Sequence, residues 1–224
     1  MGTSKAFTFN NVRIVFPKLL KAGPKYGGVG EEYSTVALIP KADAAQIQRF
    51  QAVYNELANG EFGTIPGNLR AFMGNDQRAV LKDGDDKYNA AAPEKKGNYE
   101  AYRGHMVIQL SKDVADGRIQ VIDLDRNDII SVDQAPAGSF AHIVVECSCY
   151  KSVKFGPQFS VRPQLVQIVD SSQPIVAVGM DKDTAMSMLP GQQNMQPAQP
   201  QPAQNFGAGG VPQQPANPKL DELM

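Results

Sequence analysis

The feature that most limits how this chain can fold is an uncharged run. From Thr184 to Pro218 there is no Asp, Glu, Lys or Arg, and Pro, Gln, Gly, Ala and Asn dominate. Such a stretch has too little apolar surface to offset the entropy lost on ordering, so 184–218 is expected to be a disordered, flexible linker. It divides the 224 residues into a body, 1–183, and a tip, 219–224, with the sequence KLDELM. The body is expected to fold without staples, since chains of about 150 residues or more bury roughly 70% of their unfolded surface.

Charge restricts function next. The chain carries 22 Lys and Arg against 23 Asp and Glu, and setting aside Lys219, Asp221 and Glu222 leaves 21 of each sign in the body. A neutral body has no general attraction for a polyanion, so a nucleic-acid site has to be a local patch. The two cysteines, Cys147 and Cys149, stand two apart on one face of a strand, a poor disulfide framework that suits a reducing compartment. No apolar run resembles a signal peptide or a membrane span, so a soluble protein without membrane partners is expected.

Strand signals dominate the body. Ala6–Phe16 is β-branched and aromatic, with Pro17 expected to end it, and Tyr33–Ile39 reads as a second strand buried on both faces. Asp43 and Gln46 predict a capping box for a helix that buries Ile47, Phe50, Tyr54 and Leu57 and stops at Gly60. Residues 60–103 read as one long loop, and four more strand signals follow at 105–110, 118–123, 140–153 and 158–170. The expected fold is mainly β, an OB-like, five-stranded antiparallel barrel with one helix, long inserted loops and the disordered C-terminal tail.

In 140–153 the odd positions Ala141, Ile143, Val145, Cys147 and Cys149 form an apolar face, which points both thiols into the core. On the other face, Tyr150, Lys151, Lys154 and Phe155, beside Phe159 and Arg162 of the next strand, interleave rings with cations. Rings stack on bases of any sequence and cations track phosphates, so this set is the leading single-strand site. Tyr26, Tyr33, Lys82, Lys87, Tyr88, Tyr99, Tyr102 and Arg103 flank it.

Other chemistry is weaker. Asp83, Asp85 and Asp86 in LKDGDDKY could hold Mg²⁺ in a nuclease, but Asp-Gly between lysines reads more simply as a turn. The Cys-x-Cys pair lacks further zinc ligands, the DLDRND segment lacks the glycine and glutamate of a calcium loop, and the glycines at 27, 28 and 30 make no P-loop. No cofactor is expected. In the tip, Leu220, Leu223 and Met224 surround Asp221 and Glu222, an acidic and hydrophobic docking peptide on a tether.

The order of VRIVFPKLLKA, YSTVALIPKAD, VLKDGDDKY and YKSVKFGPQFSVRPQLVQIV, followed by the linker and acidic tip, resembles phage replicative single-stranded-DNA-binding proteins, a family long catalogued as a domain of unknown function. The likeness spans about residues 8–170 plus the tail. It implies an OB-fold core, sequence-independent binding of single strands in phage replication and recombination, a tail that contacts replication proteins, no enzymatic activity, and a place in the host-cell cytoplasm. Two features depart from the family: the body is not basic, and the tip has few acids. A virion or scaffold protein is the remaining alternative.

Overall fold

The computed structural model describes residues 2–25, 29–74, 76 and 78–175; the linker, the tip and Tyr26 lie outside the described residues. Seven strands form one sheet: β1 (Thr3–Pro24), β2 (Glu31–Pro40), β3 (Lys82–Asp83), β4 (His105–Asp113), β5 (Gln120–Ile122), β6 (Phe140–Ser152) and β7 (Gly156–Asp170). Their order is β3-β4-β2-β1-β6-β7-β5. The mainly β, OB-like expectation holds, but with seven strands rather than five, and β5 runs parallel to β7 while the other pairs are antiparallel.

Pro17 does not end the first strand. β1 continues to Pro24 because its pairing with β2 shifts register between Val15 and Lys18, and Phe16 there takes φ 50°. A bulge is where a strand tolerates a residue with no N–H to donate. A second register shift in β1, between Phe9 and Val12, is held from the helix side. Asn10 N–H donates to Gln46 Oε1 (2.7 Å), and Gln46 Nε2 donates back to the Asn10 carbonyl (3.3 Å). Gln46 is fully buried, so this amide satisfies both backbone groups of Asn10, while the Asn11 N–H donates to His142 Nδ1 (3.2 Å).

Helix α1 (Ala44–Phe62) begins where expected, with Asp43 accepting the Gln46 N–H at 3.0 Å. Only half of the capping box forms, since the Gln46 side chain is spent on β1. The helix passes Gly60 and ends at Gly63, whose φ of 76° suits a residue without Cβ. Phe50 and Tyr54 anchor α1 to a run of rings in the core, with centroid separations of 4.8 Å for Phe9–Phe50 and Tyr54–Phe159 and 5.5 Å for Phe50–Phe72. The first two are edge-on contacts, which favour both burial and ring quadrupoles.

Residues 60–103 are not one loop. Besides β3 they hold α2 (Gly84–Ala90) and a 3-10 helix, Pro93–Tyr102. Asp83 caps α2 by accepting the Asp85 N–H at 2.8 Å, so LKDGDDKY starts a helix rather than making a turn. Gly84 is required by close packing, because a Cβ there would lie 2.1 Å from the Tyr102 carbonyl oxygen. The 3-10 helix covers part of the outer sheet face, packing Tyr99, Ala101 and Tyr102 over Val15, Leu38 and Val107.

The alternation of β6 is as expected: Ala141, Ile143, Val145, Cys147 and Cys149 are all fully buried. Both thiols are free, and burial pushes them up to about 12 for Cys147 and about 11 for Cys149. Such thiols are inert at neutral pH.

Candidate nucleic-acid interface

β4 and β7 approach each other without pairing, and side chains bridge the gap. Lys112 Nζ on β4 donates to Gln164 Oε1 on β7 (2.9 Å) and to the Arg118 carbonyl (3.2 Å), while Gln164 Nε2 donates to Glu146 Oε2 (3.1 Å). The outer faces of the two strands form the walls of a groove of about 540 Å³. Val36, Gln109 and Ser111 line one wall; Tyr150, Gln158, Ser160 and Arg162 line the other. The second wall follows from register, since Tyr150 faces Gln158 and Ser148 faces Ser160 across β6 and β7.

At the β3 end the lining is cationic: Arg70, Lys82 and Lys87. Tyr54 places Arg70 from beneath, its hydroxyl donating to the Arg70 carbonyl at 2.6 Å. The guanidinium then folds back onto the Arg78 carbonyl and the Ala79 carbonyl (3.2 Å), holding its own loop. Burial lowers the pKa of all three cations, reinforced by Arg78 at Arg70, by Arg70 at Lys82 and by Lys82 at Lys87. Among the described residues, none of the three is in an ion pair. A half-buried group of like charges is stabilised by an incoming anion.

At the other end, Glu32, Asp113 and Asp116 line the groove alongside Lys25 and Arg162. Lys25 bonds Asp113, and Arg162 stands 3.7 Å from Asp116, so both cations there are matched, and Glu32 adds a further negative charge. The Lys25 ammonium holds the Asp113 carboxyl below its ordinary range.

The residues singled out from sequence divide among several places. Tyr150, Arg162, Lys82, Lys87 and Phe159 line the groove. Lys151, Lys154 and Phe155 are exposed at or beside the β6–β7 hairpin tip, with Lys154 Nζ 5.1 Å from the Phe155 ring centre. Phe159, expected on the open face, has the parity of Cys149, its partner across β6, and its side chain lies in the core against Tyr54. Tyr33 and Tyr102 are likewise buried, and burial pushes the Tyr102 hydroxyl up to about 12. Tyr88 lies between Lys96 and Arg103, 5.2 and 5.1 Å from its ring centre, and Arg103 also pairs with Glu100 at 2.8 Å. Tyr99 packs edge-on to Tyr102 at 5.2 Å. Lys25, Arg70, Gln109, Ser111, Gln158 and Ser160 also line the groove and were missed. For Gln158 and Ser160 a signal existed, the alternation of β7 itself.

Two of the three acids, Asp83 and Asp85, are engaged structurally. Lys41 Nζ bonds Asp83 and Asp85, each at 2.7 Å, and Asp85 also accepts the Gly104 N–H at 2.9 Å. Burial works against ionisation of Asp83, but the Lys41 ammonium and the α2 N–H groups hold its carboxyl below its ordinary value. Among the described residues no helix is long and apolar enough to cross a membrane.

Comparison with known proteins agrees with this architecture. No curated protein matched the sequence. Among solved structures, the single-stranded DNA-binding protein of bacteriophage Enc34 in complex with ssDNA is similar at 18% identity and a TM-score of 0.58, over 76% of this chain and 89% of that one. A second structure of the Enc34 protein gives 19% identity and a TM-score of 0.53, over 81% of this chain and 89% of the other. The family model described as "Enterobacter phage Enc34, ssDNA-binding protein" matches residues 5–174, most of the chain, which therefore belongs to that family.

Proposed function

We propose that the chain binds single-stranded DNA without regard to sequence, in the groove between β4 and β7, during phage DNA replication and recombination. Arg70, Lys82 and Lys87 hold phosphates, Tyr150 offers a stacking face, and the neutral polar walls accept any base. The observation that carries this reading is the half-buried trio of Arg70, Lys82 and Lys87, whose mutual repulsion a phosphate backbone relieves. Lys151, Lys154, Phe155 and Arg103, which are exposed, and the half-buried Tyr88 border the path. Phe159, Tyr33 and Tyr102, as core residues, have no stacking role in it.

The activity is binding without catalysis, since Asp83 and Asp85 are committed to Lys41 and to backbone N–H groups. Residues 1–183 form the binding domain, 184–218 the linker, and Leu220–Met224 the contact for replication proteins in the host cytoplasm. The test is a titration of labelled single- and double-stranded oligonucleotides over a salt series, with Mg²⁺ and with chelator. Tight, salt-sensitive and metal-independent preference for single strands is expected; equal affinity for duplex, or cleavage with Mg²⁺, would refute it.

A further inference from the structure

A second cavity, of about 610 Å³, opens between α2 and the 3-10 helix Pro93–Tyr102. Its volume falls within the roughly 300–1,000 Å³ typical of small-ligand sites. Lys82 and Lys87 line this cavity as well as the groove, so the two spaces share the same pair of lysines. Beyond that pair, three consecutive short side chains, Ala90, Ala91 and Ala92, leave the wall low, and the Tyr99 ring and Lys95 complete it.

The ring is held in place. Lys87 Nζ lies 5.7 Å from the centre of the Tyr102 ring, which meets Tyr99 edge-on. Asp83, which shares Lys41 with Asp85, and Asp86 are the carboxylates of the lining, against the three cations Lys82, Lys87 and Lys95. Cations beside an apolar wall and an aromatic face match a nucleotide, whose phosphate is anionic and whose base is flat and apolar on its faces.

We infer that this cavity is a second subsite for the same DNA strand, which leaves the groove past Lys82 and Lys87 and lodges a further nucleotide between Tyr99, Lys95 and the alanine wall. The inference rests on the proposed single-strand binding. Continuity through the shared lysines favours DNA over an acidic peptide, because a strand seated in the groove already delivers its next phosphate to the cavity mouth.

The test uses the full chain and oligo(dT) probes graded from about 4 to about 16 nucleotides, the range of site sizes per OB fold. Lys95 is exposed and Ala91 only half-buried, in an extended conformation, so Lys95→Ala and Ala91→Leu are compatible with folding, which unchanged thermal midpoints would verify. Both variants should weaken the longest probe about three- to tenfold and the shortest bound probe less than twofold. Lys95→Ala should also reduce the salt slope of the longest probe by about 0.7, the share of one single-strand phosphate. Equal loss at every length, or no loss at any, overturns the second subsite while leaving groove binding intact; a native chain that binds no probe overturns groove binding itself. Protection of Lys95 from amine acetylation by the peptide KLDELM, but not by the longest oligonucleotide, assigns the cavity to a protein segment and likewise overturns the inference.

Discussion

The two ends of the groove have similar numbers of cations and opposite electrostatic character. At the β3 end Arg70, Lys82 and Lys87 are half-buried and outside any ion pair among the described residues, whereas at the Asp113 end Lys25 and Arg162 each face a carboxylate. A matched pair must be broken before a phosphate gains from its cation, while an unmatched, partly desolvated cation gains at once. A chain with no net charge in its body can therefore still hold a polyanion, provided its unmatched cations are gathered at one end.

Removing the unmatched end should have the largest effect. Lys82→Ala with Lys87→Ala is expected to cost about 2 kcal/mol in binding, roughly thirtyfold, and to lower the salt slope by about 1.4, measured by anisotropy over a salt series. The same pair sets the pH response. Both lysines have folded-state pKa values lowered by burial, so the unfolded chain binds more protons and stability rises with pH through the folded-state values. Bound phosphate favours the protonated form, so affinity is full below those values and falls as pH rises through them, below the 10.5 of an ordinary lysine. An oligo(dA) titration should show that fall in the native chain and not in the double variant.

Gly84→Ala separates the two ends by position instead of charge. Its new methyl would meet the Tyr102 and His105 carbonyls, so α2 must shift, at a cost of about 2 kcal/mol in chemical denaturation. Lys87 moves with α2 while Lys25 and Arg162 stay, so binding should weaken through the loss of Lys87 from the cationic end. If stability is unchanged, the packing of Gly84 has been misread.

How far the sequence revealed all this follows from the range of the interactions involved. The inward thiols of β6 were legible because strand parity is local, and the same parity in β7 put Phe159 inside with Val161, a signal outweighed by its position in an aromatic and cationic stretch. Asp83 with Asp85 and Asp86 behind it carried a helix start that a Gly-rich context hid. The continuation of β1 through Pro17 was not legible, because it depends on a bulge against β2, and neither was Arg70, which reaches the groove only through Tyr54 and the 70–79 loop. Tyr33 and Tyr102 show the same limit: a tyrosine suits core and site equally, and only tertiary packing assigns it.

Tyr150, opposite Gln158 on the groove wall, is half-buried on the outer face of β6. If it stacks on a base, Tyr150→Ala should cost about 1.5 kcal/mol in binding and Tyr150→Phe almost none, since the ring carries the contact. Its salt slope should stay at the native value, which distinguishes stacking from phosphate contact. A drop in slope would place the strand elsewhere.

The smallest effect tests the matched end directly. Arg162 and Asp116 stand 3.7 Å apart with both side chains 43% exposed, and a pair so open to solvent contributes about 0–1 kcal/mol to the fold. Asp116→Asn should therefore leave stability nearly unchanged while releasing Arg162 to a phosphate. Single-strand affinity should rise about twofold, roughly 0.4 kcal/mol, with a steeper salt dependence because one more cation engages the backbone. The gain should persist in the Lys82, Lys87 double variant, since the two ends share no charged partner. A gain that vanishes there would mean that the strand reaches Arg162 only after the β3 end has seated it, so that the groove fills from its cationic end.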